Sequence, residues 1–312
     1  MVQVPLIQLN NGITMPVIGL GTWRAPPGEV YKAVQDAIDS GFRHFDCAML
    51  YGNEDEIGQA LHDKLKQGTI KREDLFIVSK VWCNSMRPDL VEPTLKKTLK
   101  SLRLDYLDQY LTHWPMGFQE SDSFYPLGED GKLQHSDVDY VDSWKAMEEV
   151  YRKGLTRSIG ISNYNPAQVQ RLMKTVSIKP VVNQIEVHPY LIPQDWLDVC
   201  KTHDIVVVAY SPLGSNDRPW ATKDDPRVLE DPVIMAIAKK HKKTTAQVTL
   251  RFLVQLGLVP IPKSSNPKRI KENLEIFDFE LTSEEMSEIR ALHRNIRYHK
   301  HVEALGHRHY PF

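Results

Sequence analysis

Short β-branched runs and amphipathic stretches alternate eight times between Val17 and Leu274, and this rhythm limits the fold more than anything else in the chain. The predicted strands are Val17–Leu20, Arg43–Asp46, Phe76–Lys80, Tyr106–His113, Ser158–Ser162, Val181–Glu186, Ile205–Ser211 and Leu258–Pro260. Helical stretches lie between them near Glu29–Ser40, Glu54–Lys66, Leu90–Leu102, Tyr140–Lys153, Ala167–Lys174, Gln194–His203, Pro232–His241 and Pro267–Leu274. Their apolar residues recur every three or four positions, as in Val30, Ala33, Val34, Ala37 and Ile38, the period of a helix with one buried face. Eight such repeats favour a closed (β/α)8 TIM barrel, in the α/β class. An open doubly wound sheet would use fewer strands and a Gly-rich loop after the first; Gly19-Leu20-Gly21 lacks the third glycine.

Three segments stand outside the alternation. Leu6–Met15 holds two short alternating runs around Asn11-Gly12, a β-hairpin signal, and a hairpin this small needs a larger body to plug. Thr244–Gln255 and Ser283–His293 read as two extra helices, the second opened by a capping-box-like Thr282-Ser283-Glu284-Glu285. Asn295–Phe312 has no periodicity and is expected to cross one end of the barrel as a loop, its His299, His301, His307 and His309 exposed to solvent. No linker divides the chain, so residues 1–312 are expected to form one domain.

Charge and cysteine content narrow the function. Lys and Arg total 39 against 40 Asp and Glu, a net charge of -1, which offers no field for a nucleic acid. Three cysteines make no disulfide framework or zinc motif, no apolar run is long enough for a membrane span, and no signal peptide is evident. A cytoplasmic protein without a metal is expected.

Barrel enzymes work at the carboxyl ends of their strands. Asp46 ends the second predicted strand, Lys80 the third and His113 the fourth, each where a barrel opens, and Tyr51 follows Asp46 in the next loop. A tyrosine titrates near pH 10; an adjacent lysine would lower that value, and a carboxylate would hold the lysine charged. A neutral histidine could orient a carbonyl. The set suits protonation of a C=O while hydride reaches carbon. Taken singly, each is also what any barrel carries at a strand end. Later strands end in Ser162-Asn163, Gln184-Glu186 and Tyr210-Ser211, read for their amide and hydroxyl groups, able to hold a carboxamide and stack beneath a ring. Lys263-Ser264 followed by Arg269 at a helix start makes an anion clamp, so a dinucleotide across the barrel mouth is expected.

The residues Gly19-Leu20-Gly21-Thr22-Trp23, Phe45 to Glu54 with its Asp46 and Tyr51, Leu107 to Pro115 with its His113, Gly160-Ile161-Ser162-Asn163-Tyr164, Asn183 to Tyr190 and Ile261-Pro262-Lys263-Ser264 resemble, in order and spacing, the aldo-keto reductases, nearest their aldose and aldehyde reductase branch. The resemblance implies NADPH-dependent reduction of aldehydes and ketones. Tyr51 would be the general acid, Lys80 and Asp46 its tuning pair, and His113 the residue orienting the substrate. It implies cofactor contacts from Thr22, Trp23, Asp46, Ser162, Asn163, Gln184, Tyr210, Ser211, Leu213, Ser215, Lys263, Ser264, Arg269, Glu272 and Asn273, with Lys263 and Arg269 favouring the 2′-phosphate of NADP. The substrate pocket would be walled by Trp23, Leu50, Trp114, Phe124 and Trp220, beside Tyr51 and His113. Members of this branch are mostly monomers, and a monomer is expected. The tail lacks the cysteine-containing specificity loop of aldose reductase, and Leu50 replaces its valine, so sugars, dicarbonyls, simple aldehydes and ketosteroids all stay open as substrates. Two rivals share the fold: a structural or accessory protein that binds NADP with little turnover, and an NAD-preferring sugar oxidase, against which Arg269 weighs.

Overall fold

The structure, a computed structural model, describes residues 3–25 and 28–312. Strands β1 (Leu6–Gln8) and β2 (Thr14–Pro16) form the expected hairpin. Gly12 takes a φ of 88° at its tip, a conformation that favours glycine. Asn10 donates to the carbonyls of Pro180 and Asp204, and Asn11 to that of Arg157. Each of those carbonyls lies just ahead of a barrel strand, so the hairpin is pinned across the amino-terminal end.

Eight parallel strands follow, in unbroken neighbour order: β3 (Leu20–Gly21), β4 (His44–Asp46), β5 (Phe76–Val81), β6 (Gln109–Thr112), β7 (Ile159–Ser162), β8 (Val182–Glu186), β9 (Val206–Tyr210) and β10 (Val259–Pro260). A parallel bridge between Gly21 and Lys263 joins the last strand to the first, with Gly19 and Gly21 N–H groups donating to the carbonyls of Pro260 and Pro262. The sheet is therefore a closed barrel. At this seam a Cβ on Gly21 would stand 2.9 Å from the Ile261 carbonyl oxygen, which explains glycine there. The first strand lies later than its predicted span, Val17–Leu20, because it is fixed by pairing with β4 and this seam and not by its own β-branched residues.

Helices α1 (Glu29–Ser40), α2 (Glu54–Lys66), α3 (Pro88–Leu102), α4 (Tyr140–Arg152), α5 (Pro166–Met173), α6 (Gln194–Thr202), α7 (Pro232–His241), α8 (Thr245–Gln255), α9 (Pro267–Leu274) and α10 (Ser283–Arg290) fall where the 3.6-residue period placed them. Thr244 and Thr282 cap α8 and α10 in capping boxes completed by Gln247 and Glu285. Of the two neighbouring helices before β10, α8 packs on the strand, while α7 packs against α8 and α10; the helix outside the alternation is thus α7. Leu9 and Met15 of the plug, with Val78, Leu111, Val182, Val208 and Val259, fill a core distinct from the larger one beneath the helices. A third cluster, Trp82, Cys83, Trp114, Met116, Phe118 and Ala304, caps the opposite end. Among the described residues no helix is long and apolar enough to cross a membrane.

Candidate active site

Strand ends β4 and β5 bring Asp46 and Lys80 together at the carboxyl mouth, both buried. Lys80 Nζ donates to Asp46 Oδ1 at 2.7 Å, to the Cys47 carbonyl at 2.8 Å and to the Tyr51 hydroxyl at 3.3 Å. An ammonium has three hydrogens, and all three are used. Asp46 Oδ1 also accepts from Gln184 Nε2 at 2.8 Å. Tyr51 sits on a short 3-10 turn, Met49–Tyr51, directly after β4. Its ring stands edge-on to His113, with centroids 5.8 Å apart.

Burial pushes the Tyr51 hydroxyl well above its ordinary range, and the Asp46 charge adds to this. The expectation that Lys80 would draw it down is not met in this structure: the ammonium is already neutralised by Asp46, so burial dominates. His113 moves the other way. Burial, then the Lys80 charge, then His301 hold its imidazole well below its ordinary value, so it is neutral at physiological pH, and its Nδ1 is buried without a partner.

A second network runs along β7 to β9. Asn163, at a φ of 63°, donates to the His113 carbonyl at 3.0 Å and accepts from the Tyr210 hydroxyl at 2.8 Å. Ser162 Oγ donates to the Gln184 carbonyl at 2.7 Å. Every one of these side chains is held by strand geometry or by another side chain, so the mouth is preorganised.

One cavity of about 1110 Å³ runs from Tyr51 and His113 past Tyr210 to Arg269. It is lined by Trp23, Asp46, Leu50, Tyr51, His113, Trp114, Ser162, Asn163, Gln184, Tyr210, Ser211, Leu213, Ser215, Trp220, Lys263, Ser264, Arg269, Glu272 and Asn273, nearly the whole set singled out from sequence. Thr22 lies behind it, donating to the Asp46 carbonyl at 2.8 Å. Phe124 also lies off the cavity wall; its carbonyl accepts from Trp82 Nε1 at 2.7 Å, and the neighbouring Tyr125 lines the space instead. At the far end Lys263 pairs with Asp217 at 3.1 Å, close to the start of α9, where Asn266 caps the Arg269 N–H.

The tail departs most from expectation. His299 and His301 are half-buried because residues 296–303 turn inward and line the cavity, while His307 is buried against the Gly117 carbonyl and His309 is half-buried against Tyr140. Glu186, at the end of β8, anchors them: its carboxylate accepts from the Tyr298 N–H at 2.7 Å, the His299 N–H at 3.0 Å and His188 at 3.0 Å. Burial alone would raise this carboxyl, but the hydrogen bonds from His188 and the tail outweigh it and hold it at about 2. The His299 ring then meets Ser211 Oγ at 2.8 Å and packs on Trp23, Tyr210 and Trp220. Trp82, Tyr298, His299 and His301 were not legible beforehand as parts of the site, and Glu186, though named at the strand end with Gln184, was not foreseen as an anchor for the tail. For Glu186 the signal was present, an ionisable residue at a strand end; for the tail there was none.

Comparison with known proteins gives the same picture over nearly the full length. The Aldo/keto reductase family matches residues 17–294. Prostaglandin F synthase 1 of Bos taurus is 48% identical over 312 residues, covering 98% of this chain and 97% of that protein. Aldo-keto reductase family 1 member A1 of Gallus gallus is 48% identical over 293 residues, covering 94% and 90%. The aldose reductase of Schistosoma japonicum superposes with a TM-score of 0.93 at 42% identity, covering 99% of this chain and 98% of that one. An α/β barrel with an ion-paired lysine, a tyrosine and a histidine at its carboxyl mouth, matched along its length by such relatives, belongs to the aldo/keto reductase family of oxidoreductases.

Proposed function

We propose that this protein reduces aldehydes and ketones to alcohols with NADPH, acting as one barrel domain and a cytoplasmic monomer, and that Tyr51 gives the proton. The observation carrying this reading is the saturated Lys80 ammonium, which engages the Tyr51 oxygen while Asp46 holds it from behind. With a lone pair so occupied, the phenol's own hydrogen is left to point into the cavity. The raised Tyr51 value keeps that hydrogen in place at neutral pH, the state a general acid needs. As it leaves, the Lys80 charge faces the new phenolate and stabilises it. His113, neutral and against the Trp82 ring at 5.0 Å, can donate to the carbonyl oxygen without adding positive charge.

The residues fit a nicotinamide dinucleotide, the cofactor class general to this family. When bound, that cofactor supplies hydride from nicotinamide C4 to the carbonyl carbon. Ser162, Asn163 and Gln184 line one stretch of the cavity and would hold the carboxamide, with the Tyr210 ring beneath it. Ser211, Leu213 and Ser215 would follow the pyrophosphate. Lys263, Ser264, Arg269, Glu272 and Asn273 would take the adenosine end, where two cations beside the α9 N-terminus favour a 2′-phosphate. Trp23, Leu50, Trp114 and Trp220 then form flat apolar walls for the substrate. The name of the Bos taurus relative speaks of prostaglandin F synthesis; an extended apolar carbonyl compound suits these walls, as do aromatic aldehydes and ketosteroids, better than a polyol.

NADPH oxidation against an aromatic aldehyde, an aldose, a dicarbonyl and a ketosteroid tests the reading, with cofactor binding followed separately by fluorescence. Turnover is expected, with NADPH preferred to NADH and Arg269→Ala narrowing that preference. Tight NADPH binding with no turnover of any carbonyl would instead identify a non-catalytic binding protein of this fold.

A further inference from the structure

The two tail histidines nearest the catalytic group differ in one respect. His299 spends a ring nitrogen on Ser211, whereas His301 has both Nδ1 and Nε2 buried with no partner. Four aromatic rings enclose the His301 imidazole: Trp114 at 4.9 Å, Trp82 at 5.7 Å, Phe118 at 5.8 Å and Tyr125 at 5.9 Å between centroids. A leucine or phenylalanine would fill such a cage without burying two unpaired polar atoms, and that loss is ordinarily avoided. The ring nevertheless stays in place, held by a backbone at a φ of 50° and by the turn that follows it, Val302–Ala304. It also lines the substrate end of the cavity, and the Trp82 indole that carries it carries His113 as well.

We infer that His301 is a specificity-determining residue whose imidazole hydrogen-bonds a second, uncharged oxygen on the substrate, a hydroxyl, ether or carbonyl set in an otherwise apolar skeleton. The inference rests on the carbonyl-reductase reading and adds a preference within it. Burial lowers the imidazole to about 4 against a smaller opposing effect from Glu303, so at neutral pH it brings one N–H donor, one acceptor and no charge. A hydroxyl can use either, accepting from the N–H or donating to the bare nitrogen. A carboxylate would enter an aromatic cage without a cation to meet it, so acids are disfavoured. The apolar rings demand that the rest of the substrate be flat or hydrocarbon-like. The shared Trp82 places the second oxygen a few bonds from the carbonyl that His113 orients.

The test compares (hydroxymethyl)benzaldehydes with the isosteric ethylbenzaldehydes, meta and para, in the wild type and in His301→Leu and His301→Asn. Because each variant is scored by the ratio of kcat/KM between paired substrates, differences in intrinsic carbonyl reactivity cancel. In the wild type at least one hydroxymethyl isomer is expected to be preferred. In His301→Leu that preference should fall about 10- to 100-fold, chiefly through KM, as when a site loses the partner for a substrate hydroxyl. His301→Asn, which keeps a donor and an acceptor, should restore part of it. Thermal melting and NADPH binding of both variants report whether the barrel is intact. An intact His301→Leu variant that keeps the wild-type ratio, or a wild type with no preference for either isomer, overturns the proposal alone. A wild type that reduces neither member of any pair overturns the carbonyl-reductase reading and the proposal with it.

Discussion

The two halves of the site are built on opposite plans. On the barrel side, Asp46, Lys80, Ser162, Asn163 and Gln184 stand on strand ends or directly after them, and each is tied to others at 2.7–3.0 Å. On the tail side, His299 and His301 hang from an irregular segment anchored by the Glu186 carboxylate, with Trp220 Nε1 donating to the Tyr298 carbonyl and Ser211 meeting His299, and otherwise packed ring against ring. Saturated polar networks on rigid elements fix positions to a fraction of an ångström. Aromatic surface on a loop tolerates rearrangement and substitution. Chemistry common to many substrates needs the first, and choice among substrates needs the second, so the chain separates the two tasks in space.

If this division is right, damage on the barrel side should be severe and indifferent to substrate. Tyr51→Phe should lower kcat about 10³-fold with every carbonyl compound, the scale of a lost general acid, while NADPH binding and the melting temperature stay near wild type. A steady-state assay beside a fluorescence titration checks it. A loss confined to some substrates would break the comparison. Lys80→Met tests the fold at the same place: it leaves the buried Asp46 carboxylate with only Gln184, and an uncompensated buried charge should cost about 3–5 kcal/mol in urea unfolding.

The tail anchor should show itself through pH. The Glu186 carboxyl lies at about 2 in the folded protein against an ordinary 4.5. The folded value is depressed, so its contribution to stability is complete above pH 4.5 and is lost as pH falls towards 2. Measured as wild type minus Glu186→Gln, which removes other acid-titrating groups from the comparison, the stability difference should shrink across that window by at most about 3 kcal/mol. A difference that stays flat with pH would mean the carboxylate does not hold the tail. The smallest effect should come from Thr22→Val. It keeps the shape but deletes one buried hydrogen bond to the Asp46 carbonyl, costing about 1–2 kcal/mol. Since Thr22 lies behind the cavity, KM for the substrate should move little, and a large KM change would place this residue in the binding wall after all.

The same contrast explains what could be read from the sequence. Asp46, Lys80 and His113 were conspicuous because each is an ionisable residue that ends a predicted strand, and a parallel barrel gathers such ends at one mouth. Helix bounds such as Glu29–Ser40 and Pro232–His241 followed from period and punctuation. Strand β3 was displaced because two residues at a seam carry too little pattern. The inward turn of the tail was invisible: its contacts join residues over a hundred positions apart, such as Glu186 and Tyr298, and histidine on an aperiodic segment looks the same whether it faces water or a cage. The tyrosine's raised titration also needed coordinates, since sequence shows that a lysine is near but not that burial outweighs it.

The seam between Gly21 and Lys263 has a consequence for how the protein comes into being. Trp23 leaves the ribosome well before Lys263, with seven of the eight barrel strands' worth of chain between them, yet both line the same cavity. No partial chain that lacks β10 can close the ring or present both ends of the cavity. A nascent chain therefore carries an open sheet edge until β10 has been made. The cavity thus forms only after β10 joins the sheet, and any ligand that spans it binds only chains in which the ring has closed.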